Sequence, residues 1–245
     1  MNFEDEVAAR IAANDTNDRL KANARALMDS SIRAGYSYNF SWLGRPIIQY
    51  PQDIVAMQEI IWRVQPDLIV ETGIAHGGSL IFSAAMLELN AACGGPADAR
   101  VLGIDIDIRA HNRAAIEAHP MFKRISMIEG SSISADVVER VRQQSMGKRS
   151  VLVCLDSNHT HAHVLAELHA YAPLVTVGSY CVVFDTIVED LPSDLFQDRP
   201  WAHGDNPKTA VAEFMTTASG FEIDRSIDHK LLLSVAPTGY LRRTR

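Results

Sequence analysis

The run Ile69-Val70-Glu71-Thr72-Gly73-Ile74-Ala75-His76-Gly77-Gly78-Ser79 constrains the fold more than any other stretch of the chain. Leu68 to Val70 form a short apolar strand with Val64 upstream. An acid closes it, three glycines turn the chain, and Leu80, Ile81, Ala84, Met86 and Leu87 then recur as an apolar helix face. Glycines at such a turn permit positive φ and let a ligand approach the backbone, while the free N–H groups of the first helical turn attract a polar or anionic group. The spacing Gly73-x-x-x-Gly77-Gly78 departs from the G-x-G-x-x-G of dinucleotide folds. It argues against a pyrophosphate and leaves open a ligand loop or a plain strand-to-helix turn.

Beyond the turn, strand and helix patterns alternate. Short apolar runs at 101–106, 125–128, 151–155 and 180–184 predict strands, and helical periodicity predicts helices over 112–118, 136–144 and 164–174. Strands separated by helices imply a parallel sheet with right-handed crossovers and helices on both faces. The end of the chain differs: a helix over 209–215 precedes two runs, 221–224 and 231–235, with no helical pattern between them. These predict a terminal antiparallel hairpin at the sheet edge. The expected fold is therefore α/β and Rossmann-like, a mostly parallel seven-stranded sheet closed by a hairpin, in the element order of class I methyltransferases.

Ahead of this core, Phe3, Val7 and Ile11, then Leu20, Ala24 and Leu27, recur at helical spacing on either side of Asn14-Asp15-Thr16-Asn17, where Asp15 or Thr16 is placed to cap a second helix. Tyr36, Tyr38, Phe40, Trp42 and Tyr50 then crowd one segment around a Gly44-Arg45-Pro46 turn, and a helix over 52–64 starts after Pro51 and ends before Pro66. We divide the chain into an appendage of helices and aromatic loop, 1–50, and a core domain, 51–245.

With 245 residues the chain has length for one large core. A net charge of -7 and no basic cluster beyond Arg242-Arg243-Thr244-Arg245 exclude a nucleic-acid partner. Cys93, Cys154 and Cys181 form no C-x-x-C pair, the N-terminus Met1-Asn2-Phe3-Glu4-Asp5-Glu6 is acidic, and no apolar run reaches membrane-spanning length. A cytoplasmic protein with reduced thiols and no membrane contact is expected.

In a doubly wound sheet the ligand lies beyond the carboxyl ends of the strands. There the predicted strands end in Glu71, in Asp105-Ile106-Asp107, in Glu129-Gly130-Ser131-Ser132, in Asp156-Ser157-Asn158-His159 and in Asp185-Thr186. Any one of these acids serves as a helix cap; five at one rim call for cations or hydroxyl-bearing ligands. Asp105 stands where a carboxylate accepts both hydroxyls of a ribose, with Asp107 second because Arg109 is near enough to pair with it. Gly130 and Ser131 would lie beside a base ring, capping being the alternative for Ser131 or Ser132. Asp156 and Asp185 suggest an oxygen-liganded cation, most simply Mg²⁺ with waters retained. His159, three residues after Asp156, is placed to remove a proton near neutral pH. Zinc at His159, His161 and His163 is excluded, because that spacing cannot put all three on one helix face.

The blocks Tyr36 to Gln49, Glu71 to Ser79, Gly103-Ile104-Asp105-Ile106-Asp107-Ile108-Arg109 and Leu155-Asp156-Ser157-Asn158-His159 resemble the cephalosporin hydroxylase family, which includes rhamnosyl-type sugar O-methyltransferases. The resemblance implies a class I fold binding S-adenosylmethionine, a Mg²⁺ site at Asp156 and Asp185, and methylation of a hydroxyl on a sugar or natural product. Carried onto this chain, the donor site is Glu71, Gly73, Ala75, Gly77, Ser79, Asp105, Asp107, Gly130, Ser131 and Asp156. Asp156, Asp185 and Thr186 are the metal positions, and His159 and Asp156 do the chemistry, His159 matching the base of catechol-type O-methyltransferases. By analogy with multimeric relatives, the N-terminal helices would build a homo-oligomer. One departure stands out: the family's Glu-Asp pair is Phe184-Asp185 here, so Thr186, water, Glu189 or Asp190 must replace a ligand, or the metal is weakly held or absent. The segment 187–207, with Pro192, Pro200, Trp201 and His203, is a candidate lid or a surface loop, and Trp201 and Trp42 a candidate aromatic wall for a sugar face. The rival readings are a hydroxylase or nucleotide-dependent oxidoreductase component, and a non-catalytic homologue that keeps the fold.

Overall fold

The computed structural model describes residues 2–245. Helix α1 (Phe3–Asp15) is capped by Asn2, and α2 (Asp18–Arg33) by Asn17, whose side chain accepts the Leu20 N–H at 3.0 Å. The cap thus falls on Asn17 rather than on Asp15 or Thr16. A 3₁₀ turn (Tyr36–Asn39) and a small hairpin, β1 (Ser41–Trp42) and β2 (Arg45–Pro46), lead to α3 (Pro51–Val64). The core then runs β3 (Leu68–Thr72), α4 (Gly78–Ala92), β4 (Arg100–Asp105), α5 (Ala110–Glu117), β5 (Ile125–Glu129), α6 (Ala135–Ser145), β6 (Val151–Leu155), α7 (His161–Tyr171) and β7 (Tyr180–Val183). It ends with α8 (Pro207–Met215), β8 (Phe221–Ile223), α9 (Arg225–Leu231) and β9 (Tyr240–Arg243).

The large sheet has seven strands in the order β5-β4-β3-β6-β7-β9-β8. Strands β3 to β7 are parallel, and β9 runs antiparallel to both β7 and β8. The two-residue alternation of a strand divides the core. Ile69 packs with Met57, Ile60 and Ile61 of α3 and with Leu80 and Ile81 of α4, whereas Leu68 and Val70 pack with residues of α6, α7 and α8. Strand order reverses between β3 and β6, so their carboxyl ends open the crevice in which a ligand binds. Met28, Ile47 and Tyr50 join the α3–α4 cluster, which ties the first fifty residues to the rim of that crevice.

The terminal hairpin exists, but its second strand is β9 and not the run 231–235, and α9 lies between the two strands. The reason is a carboxylate far away in sequence. Asp53 of α3, fully buried, accepts the Val235 N–H (2.9 Å) and the hydroxyls of Ser234 (2.6 Å) and Tyr240 (2.9 Å). Those bonds hold 232–235 as a loop against α3, after Leu232 turns the chain at φ 60°, and leave Tyr240 and Leu241 to enter the sheet. Among the described residues no helix is long and apolar enough to cross a membrane.

Candidate active site

The glycine turn is shaped by what presses on it. Gly73, at φ 88°, donates its N–H to Ile104 O at 2.8 Å, and a Cβ there would stand 2.0 Å from the Asp156 carbonyl oxygen. A Cβ on Gly78 would stand 2.1 Å from Pro46 O, so the β1–β2 hairpin lies directly on the start of α4. Gly77 (φ 82°) packs against Ile116 of α5, and Ala75 between them also has positive φ, 45°. No side chain larger than that of glycine fits at Gly73 or Gly78.

Asp105 joins this turn to the end of β4. Its Oδ2 accepts the N–H groups of Ile74 (2.8 Å) and Ala75 (3.3 Å), and its Oδ1 accepts that of Asp107 (3.0 Å). The carboxylate borders a cavity of about 140 Å³ with Gly73, Ile106, Ser131, Ser132 and His163. Asp107 does not line it, and Arg109 makes no ion pair with Asp107 among the described residues. Gly130 also lies outside the lining; its N–H goes to Asp105 O at 2.8 Å and fixes the spacing of β4 and β5. Glu71 is buried behind the turn, where Ser79 donates a hydroxyl to it. Burial pushes its carboxyl up to about 7, against the opposing hydrogen bonds of Ser79 and Ser83.

Two other cavities are larger. One of about 250 Å³ is bordered by Gly73, Ala75, Ser79, Gln49 and Tyr38. The second, of about 480 Å³, lies under the segment after β7 and includes Leu191, Phe196, Arg199 and Trp201. Both reach Asp156, His159 and Asp185. These three residues each offer a ligand atom, all within 4.8 Å of one another. His159 Nδ1 is 2.9 Å from Asp185 Oδ2. Burial holds the Asp156 carboxyl well above the usual carboxylate range, and the neighbouring charge of Asp185 adds to this. Its side-chain donor is Gln49 Nε2, at a long 3.4 Å, while Gln49 Oε1 is buried without a partner. Two carboxylates this close, neither of them fully exposed, are stabilised by a cation, and their oxygens suit Mg²⁺ with waters completing its shell.

None of the sequence-predicted substitutes for the missing glutamate enters this cluster. Thr186 is fully buried and donates its hydroxyl to Pro237 O at 2.7 Å. Glu189 is taken by Gly204, Asn206 and His203, and Asp190 by Lys208. The third group is His159 itself, and Phe184 packs into the core. Burial lowers the His159 pKa, but the charge and hydrogen bond of Asp185 outweigh it, so the net direction is up. The other two histidines diverge, as their spacing predicts. His161 meets Glu213 and Thr209, and His163 meets Ser132.

The segment 187–207 is not free of helix. It carries 3₁₀ turns at Thr186–Asp190 and Ser193–Phe196 and is tied to α2 by Arg33, which donates to both oxygens of Asp194 (2.9 and 3.2 Å). Trp201 stacks on His159, ring centres 4.6 Å apart. Trp42 instead meets Phe82 edge-on at 4.9 Å and lies outside the larger cavity, which Tyr38 lines together with Trp201. Sequence reasoning did not assign Gln49, Ser132 or His163 to the site. Gln49 stood in a block already singled out, Ser132 in the run that ends the third predicted strand, where capping was its alternative, and His163 in the histidine run.

A model of the family described as "Rhamnosyl O-methyltransferase/CmcI" matches residues 34–244. The chain belongs to the rhamnosyl O-methyltransferase/CmcI family. As a member of the rhamnosyl O-methyltransferase/CmcI family it is an S-adenosylmethionine-dependent O-methyltransferase. It is 29% identical over 208 residues to the rhamnosyl O-methyltransferase of Mycobacterium leprae (strain TN), covering 83% of this chain and 82% of that one. With the enzyme of the same name from Mycobacterium tuberculosis (strain ATCC 25618 / H37Rv) it shares 30% over 196 residues, 78% of this chain and 73% of that one. Solved structures of CmcI and of MycE have the same fold. The apo structure of CmcI superposes with TM-score 0.59 at 18% identity, over 85% of this chain and 77% of that one. The structure of CmcI with Mg and SAM gives 0.58 at 19%, over 85% and 78%. MycE with Mg, SAH and Mycinamycin VI gives 0.52 at 17%, over 89% and 53%.

Proposed function

We propose that the acceptor is a hydroxyl of a sugar or glycosylated natural product, and that Mg²⁺ held by Asp156 and Asp185 assists its methylation. The observation that carries this reading is the meeting of Asp156, His159 and Asp185 where the cavity beside the glycine turn joins the larger one under the lid. The names of the mycobacterial relatives and the ligands of CmcI and MycE support it.

Asp105, Gly73 and Ser131 would hold the nucleoside of the donor, with Asp107 and Gly130 shaping the strand ends around it. Ala75, Gly77 and Ser79 turn the backbone around the amino-acid portion, and Glu71 braces Ser79 from behind. A bound divalent ion supplies Lewis acidity that lowers the pKa of a hydroxyl. His159, with Nδ1 committed to Asp185, offers Nε2 to the departing proton. Trp201 keeps that imidazole in plane, and the lid excludes water from the transfer. Thr186 receives no role as a ligand, since Pro237 occupies its hydroxyl. Exposed apolar residues on the first two helices, Phe3 (74%) and Leu27 (53%), support self-association through them, which light scattering on the purified chain checks.

Methyl-labelled S-adenosylmethionine, supplied with aryl rhamnosides or the matching aglycones and with Mg²⁺ or a chelator, tests the proposal. Label should enter the glycoside and fall when Mg²⁺ is removed. Equal labelling of an aglycone phenol, with glycosides inert, overturns the sugar assignment.

A further inference from the structure

Arg45 of the Gly44-Arg45-Pro46 turn is half-buried and directs its donors at the backbone of the glycine turn. Its Nε (3.0 Å) and Nη2 both donate to the carbonyl of His76, and Nη2 also donates to Asn112 Oδ1 at 3.2 Å. A guanidinium only donates, so the Asn112 amide faces it with oxygen and turns its Nδ2 to Ala75 O, 2.9 Å away. Asn112 is 4% exposed, and no carboxylate pairs with Arg45 among the described residues.

These bonds complete a pattern in the peptides between Ile74 and Gly77. Ile74 O accepts the Gly77 N–H at 2.7 Å, Ala75 N–H goes to Asp105, Ala75 O to Asn112 and His76 O to Arg45. The one polar group of these peptides left without a partner among the described residues is the His76 N–H. In a planar trans peptide that N–H points opposite to the Ala75 carbonyl, and hence away from Asn112. Ala75 and His76 border the cavity of about 250 Å³, whereas Arg45 and Asn112 do not. Ala75 is held at φ 45°, and a strained backbone of this kind persists only where its surroundings over-determine it.

We infer that Arg45 and Asn112 are positioning residues for methyl transfer, which hold the peptide between Ala75 and His76 from behind so that its N–H is presented to the carboxylate of the donor's amino-acid portion. Neither residue touches the donor: Arg45 acts through the His76 carbonyl and through Asn112. Since Arg45 belongs to the β1–β2 hairpin, the donor turn takes its shape only when that hairpin is seated. The inference rests on the reading of this cavity as the amino-acid part of the donor site.

Calorimetric titration of the full chain with S-adenosylhomocysteine and with 5′-methylthioadenosine, which lacks the amino-acid portion, tests it. Arg45→Ala should weaken S-adenosylhomocysteine by about 10-fold or more, the range for losing hydrogen bonds from a charged group, and leave 5′-methylthioadenosine within about 2-fold. Arg45→Lys keeps the charge but loses the fork, so it should show the same split between the ligands with a loss of about 3-fold or more. Asn112→Ala should show that split too. The double variant Arg45→Ala/Asn112→Ala should lose no more than about 3-fold beyond the larger single loss, because the two residues hold one turn together. A parallel loss for both ligands, as a general loosening of the fold predicts, or an unchanged affinity for S-adenosylhomocysteine in Arg45→Ala overturns the positioning role while leaving the donor site standing. Losses that multiply in the double variant overturn it likewise. Failure of the wild type to bind S-adenosylhomocysteine overturns the donor-site reading and the inference together. Arg45 lies on a surface hairpin, so Arg45→Ala should fold, which an unchanged thermal midpoint checks; Arg45→Lys carries the test if it does not.

Discussion

His159 Nδ1 lies 2.9 Å from Asp185 Oδ2, and Trp201 stacks on the face of the same imidazole. A carboxylate on one ring nitrogen fixes the imidazole tautomer and leaves the other nitrogen free to take a proton. On the proposed reading Asp185 would serve both the base and the cation site, with Phe184 in place of a second acid. His159→Gln should lower kcat by about 10²–10⁴-fold while donor affinity stays within error. Pre-steady-state methyl transfer and calorimetry with S-adenosylhomocysteine separate the two. A fall in affinity equal to the fall in rate would assign His159 to donor binding.

At Gly73 the turn has no room for a side chain. The φ of 88° is costly for any other residue, and the Asp156 carbonyl would stand 2.0 Å from a Cβ. Gly73→Ala should cost about 3 kcal/mol or more, because strain and displacement of the β6 end add. Gly94 has a similar φ, 91°, with open space around it, so Gly94→Ala should cost only the backbone term of about 1 kcal/mol. Urea denaturation of both variants gives the comparison; equal losses would mean that the contact with Asp156 is absent.

Much of this was legible in the sequence because it is local. The five parallel strands read as short apolar runs, and β6 spans the predicted 151–155. The acids at the strand ends follow from the same periodicity. The features that escaped sequence reasoning depend on partners distant along the chain. The run 231–235 has a strand's composition, yet Asp53 holds it as a loop. Thr186 sits beside Asp185 but turns to Pro237, and Glu189 and Asp190 are taken by partners around the start of α8. Ser132 lies in the loop after β5 and His163 in the first turn of α7, and they become a pair only when the sheet brings these distant segments together.

Arg33 and Asp194 join α2 to the candidate lid after β7 in a bidentate pair, both side chains well exposed to solvent. Exposed pairs add little to global stability. Their effect should be on lid position. Arg33→Ala should leave the thermal midpoint unchanged and raise KM for the acceptor several-fold, with donor affinity unaltered. Steady-state kinetics at saturating donor measures this; an unchanged KM would show that the lid is placed without the pair.

Asp53 gives the fold a pH dependence of its own. Burial raises its carboxyl from 3.8 to about 6, against the hydrogen bonds from Ser234, Val235 and Tyr240. The folded chain therefore keeps a proton there that the unfolded chain releases above its lower pKa. Stability from this group is fully present below about pH 4 and is lost as pH rises through about 6. The shift corresponds to an effect on the order of 3 kcal/mol. Asp53→Asn removes the titration while keeping the shape. The stability of the wild type relative to this variant should therefore fall between about pH 4 and about pH 7, with most of the change complete by about pH 6.5. Urea denaturation of the pair at several pH values measures the difference directly and cancels the other carboxylates. A constant difference would show that Asp53 is ionised throughout, and that Ser234, Val235 and Tyr240 stabilise the charge fully.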